Sequence, residues 1–229
     1  MNFDKYVDRT LRKIESTVEF YGRHIFKPVL TLENVTALFT DEHLRLPPEA
    51  GLSPIAPGTV WGKEYSNMWL KTTVTVPDEA DGKILCAIPE ANAVEILCFK
   101  NGKPAGIINS KNKFVGGDHS VMFVDKCAKA GDTIELAFEC YAGHTCLGTQ
   151  PGENPDADEE NINQAEFSHV YNGTKIYVLD TLLRDCTFDL SAVIQLANLK
   201  KDNFVSMKAY QCLKNAFPYI IQDQKGVSE

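Results

Sequence analysis

Apolar residues recur at every third or fourth position at the start of the chain. Phe3, Val7, Leu11, Ile14, Val18 and Tyr21 form one stripe, which predicts an amphipathic helix within residues 1–26. Pro28 stops its continuation. Residues 27–60 hold five prolines, with Pro47-Pro48 and Gly51 among the breakers, and this stretch reads as a long extended connection. From Trp69 the period falls to two. Leu70, Thr72, Val74 and Val76 share one face, and Pro77 ends the strand.

Further strand candidates follow at 84–88, 93–99, 104–108, 120–124 and 133–141. Asn101-Gly102 sits between two of them. Both central positions of a type I′ turn need positive φ, so this pair predicts a hairpin. In the last candidate, Ile134, Leu136, Phe138 and Cys140 alternate with Glu135, Ala137 and Glu139. That pattern predicts one buried face and one wet face. Residues 148–166 are rich in acids, proline and glycine and read as a linker. Helical spacing then returns, in one stripe of Ile176, Leu179, Leu183 and Cys186 and another of Leu190, Val193, Ile194 and Ala197. A third, of Val205, Leu213, Ala216 and Phe217, is ended by Pro218.

These elements predict a mainly β fold with helical flanks. Residues 1–26 form an N-terminal helix, 27–149 an antiparallel jelly-roll-like β-sandwich, 150–168 an acidic linker, and 169–229 a small helical segment. No long helices alternate with the strands, which argues against a parallel sheet.

Composition narrows the partners. Hydrophobic residues are 44% and charged residues 24%, with a net charge of −8. A chain this acidic, without a basic run, repels a phosphate backbone, so nucleic acid is not an expected partner. No apolar run approaches the roughly 20 residues of a membrane span, and the first 20 residues are charged throughout, unlike a signal peptide. The expectation is a cytoplasmic protein. Seven cysteines without a CxxC pair read as buried reduced thiols. The sequons at Asn34 and Asn172 then carry no sugar, because glycosylation requires export.

Candidate chemistry is sparse. None of the five histidines lies in a metal-binding pair, and the nearest cluster is Cys140, His144 and Cys146, which lacks a second half-site. The run Asp156, Asp158, Glu159, Glu160 fails the EF-hand pattern: Asn161 and Phe167 stand where Gly and Glu are needed. Glu135 and Glu139 share a strand face, but their Cα atoms lie roughly 13 Å apart, which suits neither glycosidase geometry. Nucleophile elbows, P-loops and dinucleotide fingerprints are absent. Trp61, Tyr65 and Trp69 cluster near the first clear strand. They form either a platform for stacking on a sugar ring or plugs of the sandwich core, the commoner fate of large aromatics.

Residues 50–77 resemble the region that precedes the catalytic barrel in glycoside hydrolase family 38 α-mannosidases of the cytosolic and bacterial type. Trp61-Gly62, a short gap, Trp69 opening a strand and Pro77 closing it carry the likeness. Residues 82–107 are similar to that family's two-strand unit, with Asn101-Gly102-Lys103-Pro104 at its turn, and 174–217 to its leucine-rich helices. The sandwich this implies is galactose-binding-like. The resemblance implies hydrolysis of terminal α-mannosides by a full-length enzyme. Zinc or a similar divalent ion would be bound in its barrel, by a His-x-Asp motif. Here Phe26, Arg45, Val121, Cys146 and Tyr171 stand two residues beyond the histidines, never Asp. This chain is therefore expected to hold no catalytic residue and no metal, and to serve as a non-catalytic scaffold. The barrel is its expected partner, with a homo-oligomer and a glycan as further candidates. An apolar patch left bare by the barrel is expected on its surface. The alternative is a free-standing carbohydrate-binding sandwich using Trp61, Tyr65 and Trp69.

Overall fold

The computed structural model describes residues 3–109, 119–143, 169–199 and 203–222. The chain divides into two units: Pro28–Val178, and the segment up to Lys27 together with that from Leu179 onward.

The helical unit holds α1 (Phe3–Gly22), α2 (Thr181–Ala197) and α3 (Phe204–Gln222). Leu11, Ile14 and Val18 of α1 pack with Ile194 of α2 and Leu213 of α3, so the predicted stripes do meet. Burying each such aliphatic side chain is worth about 1.5–3 kcal/mol. Asp180 caps α2: its Oδ1 accepts the Leu183 N–H at 2.9 Å. Pro218 does not end α3 as the pattern predicts. The helix runs through it to Gln222, and the Tyr21 hydroxyl donates to the carbonyl of Ile220. That bond holds the turn beyond the one hydrogen bond proline removes.

The other unit is a β-sandwich. Its strands are β1 (Phe26–Leu32), β2 (Thr36–Thr40), β3 (Ser53–Pro54), β4 (Thr59–Trp61), β5 (Asn67–Thr75), β6 (Leu85–Pro89), β7 (Glu95–Lys100), β8 (Lys103–Asn109), β9 (Met122–Asp125), β10 (Thr133–Tyr141), β11 (His169–Tyr171) and β12 (Thr174–Leu179). One sheet runs β1-β12-β6-β9, a second β3-β2-β5-β10-β7-β8, and β11 pairs with β4. Antiparallel registers join β10 to β5 and β7, β5 to β2, and β6 to β12 and β9. Leu85, Ala87, Met122 and Ile176 of the first sheet and Met68, Leu70, Leu136 and Phe138 of the second fill one core. The β7–β8 turn is as predicted: Asn101 and Gly102 have φ of 50° and 74°.

Four features depart from the sequence reading. The proline-rich stretch contains β1 to β4, of which β1 and β3 are sheet edges. Proline is tolerated there because an edge N–H owes no ladder bond. Residues 169–179, read as helical, form β11 and β12. Thr174, Ile176 and Val178 are buried and pair with Pro89, Ala87 and Leu85. The three-to-four spacing from Ile176 to Cys186 arises because a strand runs straight into a helix. The second face of β10 is only partly wet: Ala137 and Glu139 are buried, while the Glu135 side chain is 41% exposed. Finally, Cys86, Cys98 and Cys140 are buried, but Cys127, Cys186 and Cys212 are exposed. The segment 150–168, His144 and Cys146 lie outside the described residues.

Candidate functional site

The three aromatic candidates do not form one platform. Trp61 is 4% exposed and belongs to the main core. Its Nε1–H donates to the Ala91 carbonyl at 2.9 Å. Its ring lies 5.1 Å from that of His169, its direct partner across the β4–β11 pair. Trp69 is fully buried on the other face of the six-stranded sheet. There it packs with Phe99 and Ala137, and with Leu38, Leu44 and Leu97 beside them. Tyr65 alone shows its ring, at 54% exposure. Its φ of 59° is left-handed, a strained conformation for a residue with a Cβ. Hydrogen bonds hold it: Tyr65 N–H donates to Gly143 O at 3.0 Å, and Ala142 N–H to Ser66 O at 3.0 Å.

The register sets a second group on the Trp69 face. Opposed residues in an antiparallel ladder share a face, so Trp69 and Glu139 stand side by side. Glu139 is buried, and its Oε1 lies 3.2 Å from Nδ1 of the exposed His43. Burial pushes its carboxyl above the ordinary range, and His43 draws it partly back. Tyr141 lies near, its ring 5.7 Å from that of His43. Burial raises its hydroxyl, with Tyr65 and Glu64 adding to the effect. Glu135, on the same strand face, instead pairs with Lys71 at 3.4 Å. The two carboxylates thus have separate partners, and no acid–base pair forms between them.

A cleft of about 390 Å³ opens where β2 ends and β5 begins. Phe39 and Asp41 line it from one side, and Lys63, Ser66 and Asn67 from the other. Lys63 Nζ meets Asp41 Oδ2 at 2.6 Å, both well exposed. The Ser66 hydroxyl is satisfied by Lys63, donating to its carbonyl and accepting its N–H, both at 2.8 Å. Asn67 is different. Its side-chain oxygen and nitrogen are both buried without a hydrogen-bond partner among the described residues. The Trp69 indole N–H is the other buried donor on β5 without a partner among the described residues. The sequence pattern missed Asn67 and set Glu139 only against Glu135, because the neighbours that matter, Thr40 of β2 beside Asn67 and Trp69 of β5 beside Glu139, are remote in the chain.

Among the described residues, nucleophilic and metal chemistry find little footing. Burial pushes the Cys98 thiol up to about 12 and raises Cys140 well above its ordinary value, so neither is a thiolate near neutrality. Among the described residues, no three His, Cys, Asp or Glu side chains converge to hold an ion. No helix among the described residues is long and apolar enough to cross a membrane.

No family model matches the chain, and no curated protein does either. Among solved structures, it is similar to a Faecalibacterium prausnitzii β-glucuronidase at 14% identity and a TM-score of 0.41, over 66% of this chain and 31% of that one. Ruminococcus gnavus β-glucuronidase with D-glucuronic acid gives 12% identity and a TM-score of 0.36, over 66% and 29%. The same enzyme with uronic deoxynojirimycin gives 12% and 0.39, over 67% and 29%. The chain thus spans less than a third of these proteins' length. At these TM-scores they assign neither a family nor any residue's role, and the α-mannosidase resemblance is carried by this sequence's own motifs.

Proposed function

We propose that this chain is the non-catalytic β-sandwich region of a glycoside hydrolase of α-mannosidase type. It would act as a frame against which a separate catalytic barrel packs. One observation carries this reading: the residues of the resembling motif are frame residues. Trp61 and Trp69 are buried in two different clusters. Pro77 follows the end of β5, and Asn101-Gly102 makes the β7–β8 turn. A motif that builds a slab rather than a site suits a scaffold. The helical unit adds support, since Leu182, Phe204, Met207 and Tyr219 of α2 and α3 are all strongly exposed, as docking surfaces require. The sugar-platform reading is weaker, because of its three aromatics only Tyr65 is at the surface.

The test is hydrolysis of a chromogenic α-mannoside by the purified chain, with and without added zinc. No release is expected under either condition. Metal-dependent release would show that the chain carries its own catalytic site and would overturn the scaffold reading.

A further inference from the structure

We propose that the cleft between the end of β2 and the entry to β5 binds a neutral polyhydroxyl ring, the size and chemistry of a single pyranose. The proposal does not depend on the scaffold reading, since a chain that hydrolyses nothing can still hold a sugar. Its first support is Asn67, 1% exposed, lining the cleft with both amide atoms unpartnered among the described residues. A carboxamide offers one acceptor and two donors in a plane. That is the complement of two neighbouring hydroxyls, each able to donate and accept. Ligand entry requires the amide to turn toward the cleft about its side-chain bonds.

Charge and shape select the class further. Lys63 and Asp41 neutralise each other at the rim, so neither an anion nor a cation is favoured. Phe39, 53% exposed, supplies an apolar wall. A pyranose has both an apolar C–H face and a hydroxyl edge, and aromatic walls suit the first. The volume of about 390 Å³ falls within the range of small-molecule sites. The backbone around the cleft is held in place, and the rearrangement that entry requires is confined to the Asn67 side chain. Ser66 is tied to Lys63, and the Tyr65–Ser66 backbone to residues 142 and 143, so binding need not order the backbone.

The experiment uses the full chain labelled with nitrogen-15 and titrated with methyl α-mannoside and methyl β-glucoside. Both should shift the Asn67 side-chain amide resonances saturably, with Kd on the order of 1 mM, and each should compete with the other. Asn67→Leu and Phe39→Ala should each weaken binding about ten-fold or more. Tetrahydropyran, a ring of like size without hydroxyls, should not compete. Phe39→Ala changes an exposed side chain and decides the matter if Asn67→Leu does not fold. The proposal is overturned if neither glycoside moves the Asn67 resonances, if both variants bind as the parent does, or if tetrahydropyran competes equally. Absence of glycoside binding, with Asn67→Leu as stable as the parent, would mark Asn67 as a buried amide served by water only.

Discussion

Trp69 of β5 stands directly opposite Glu139 of β10 in the ladder, so an indole and a carboxylate share one buried row of the sheet. The row lies on the face turned away from the main core, whose members Met68, Leu70, Phe138 and Cys140 alternate with it. The sandwich therefore carries a second, smaller apolar cluster on its outer side. Trp69 is its largest member, in contact with Phe99 at a centroid distance of 5.4 Å.

Truncating that side chain separates frame from platform. Trp69→Ala should destabilise the sandwich by about 3–5 kcal/mol, through lost burial and the cavity left behind. Urea unfolding followed by circular dichroism measures it. A change below about 1 kcal/mol would place the ring outside the packed frame. Trp69→Phe should cost less, because it also removes the indole N–H that has no partner among the described residues.

Glu139 gives a pH dependence of defined sign. Burial raises its carboxyl above the ordinary 4.5, and His43 opposes that rise. A carboxyl raised by folding holds its proton more tightly in the folded state. Its favourable contribution is thus complete below the unfolded value and is lost as pH climbs through the folded one. Relative to Glu139→Gln, the parent should lose stability as pH climbs from about 4.5 through the raised folded value. His43→Ala should push the carboxyl higher still, visible by NMR titration. A stability difference that stays flat with pH would contradict the burial assigned to this group.

Much of this frame was legible in the chain. The stripe of Leu11, Ile14 and Val18 gave α1, and the alternation from Ile134 to Cys140 gave β10. Asn101-Gly102 marked its turn because backbone chirality leaves few other residues at two successive positive φ values. The edge strands β1 and β3 were hidden by Pro28 and Pro54, which read as breakers until the pairing shows which strand edge is bare. The candidate cleft was illegible for a different reason. Phe39, Lys63 and Asn67 meet only through the register of β2 with β5 and the loop before it, and periodicity carries no information about register between strands.

Thiol chemistry checks the burial pattern independently. Cys98 and Cys140 are buried, and burial raises both thiols, so both should resist alkylation in the folded protein. Cys127, Cys186 and Cys212 are exposed and should be modified by iodoacetamide. Peptide mass spectrometry of native and urea-unfolded samples reads the difference. Rapid native labelling of Cys98 or Cys140 would show that the sheet opens locally far more readily than its burial implies.

Two glycines with similar backbone angles should respond very differently to alanine. Gly102 has φ of 74°, and an added Cβ there meets nothing within 4 Å. Gly102→Ala therefore carries only the left-handed strain, about 1–2 kcal/mol. Gly143 has φ of 93°, and its added Cβ would fall 2.6 Å from Cγ2 of Val94. It also presents the carbonyl that receives the Tyr65 N–H, so displacement there disturbs the strained loop beside the cleft. Gly143→Ala should be the more destabilising by more than about 1 kcal/mol, as close-packed interiors resist overpacking. It should also perturb the Tyr65 and Ser66 amide resonances, whereas Gly102→Ala should leave them unmoved. Equal thermal shifts for the two variants, with Tyr65 undisturbed, would mean that Val94 yields freely and that this loop is not clamped by the exit of β10.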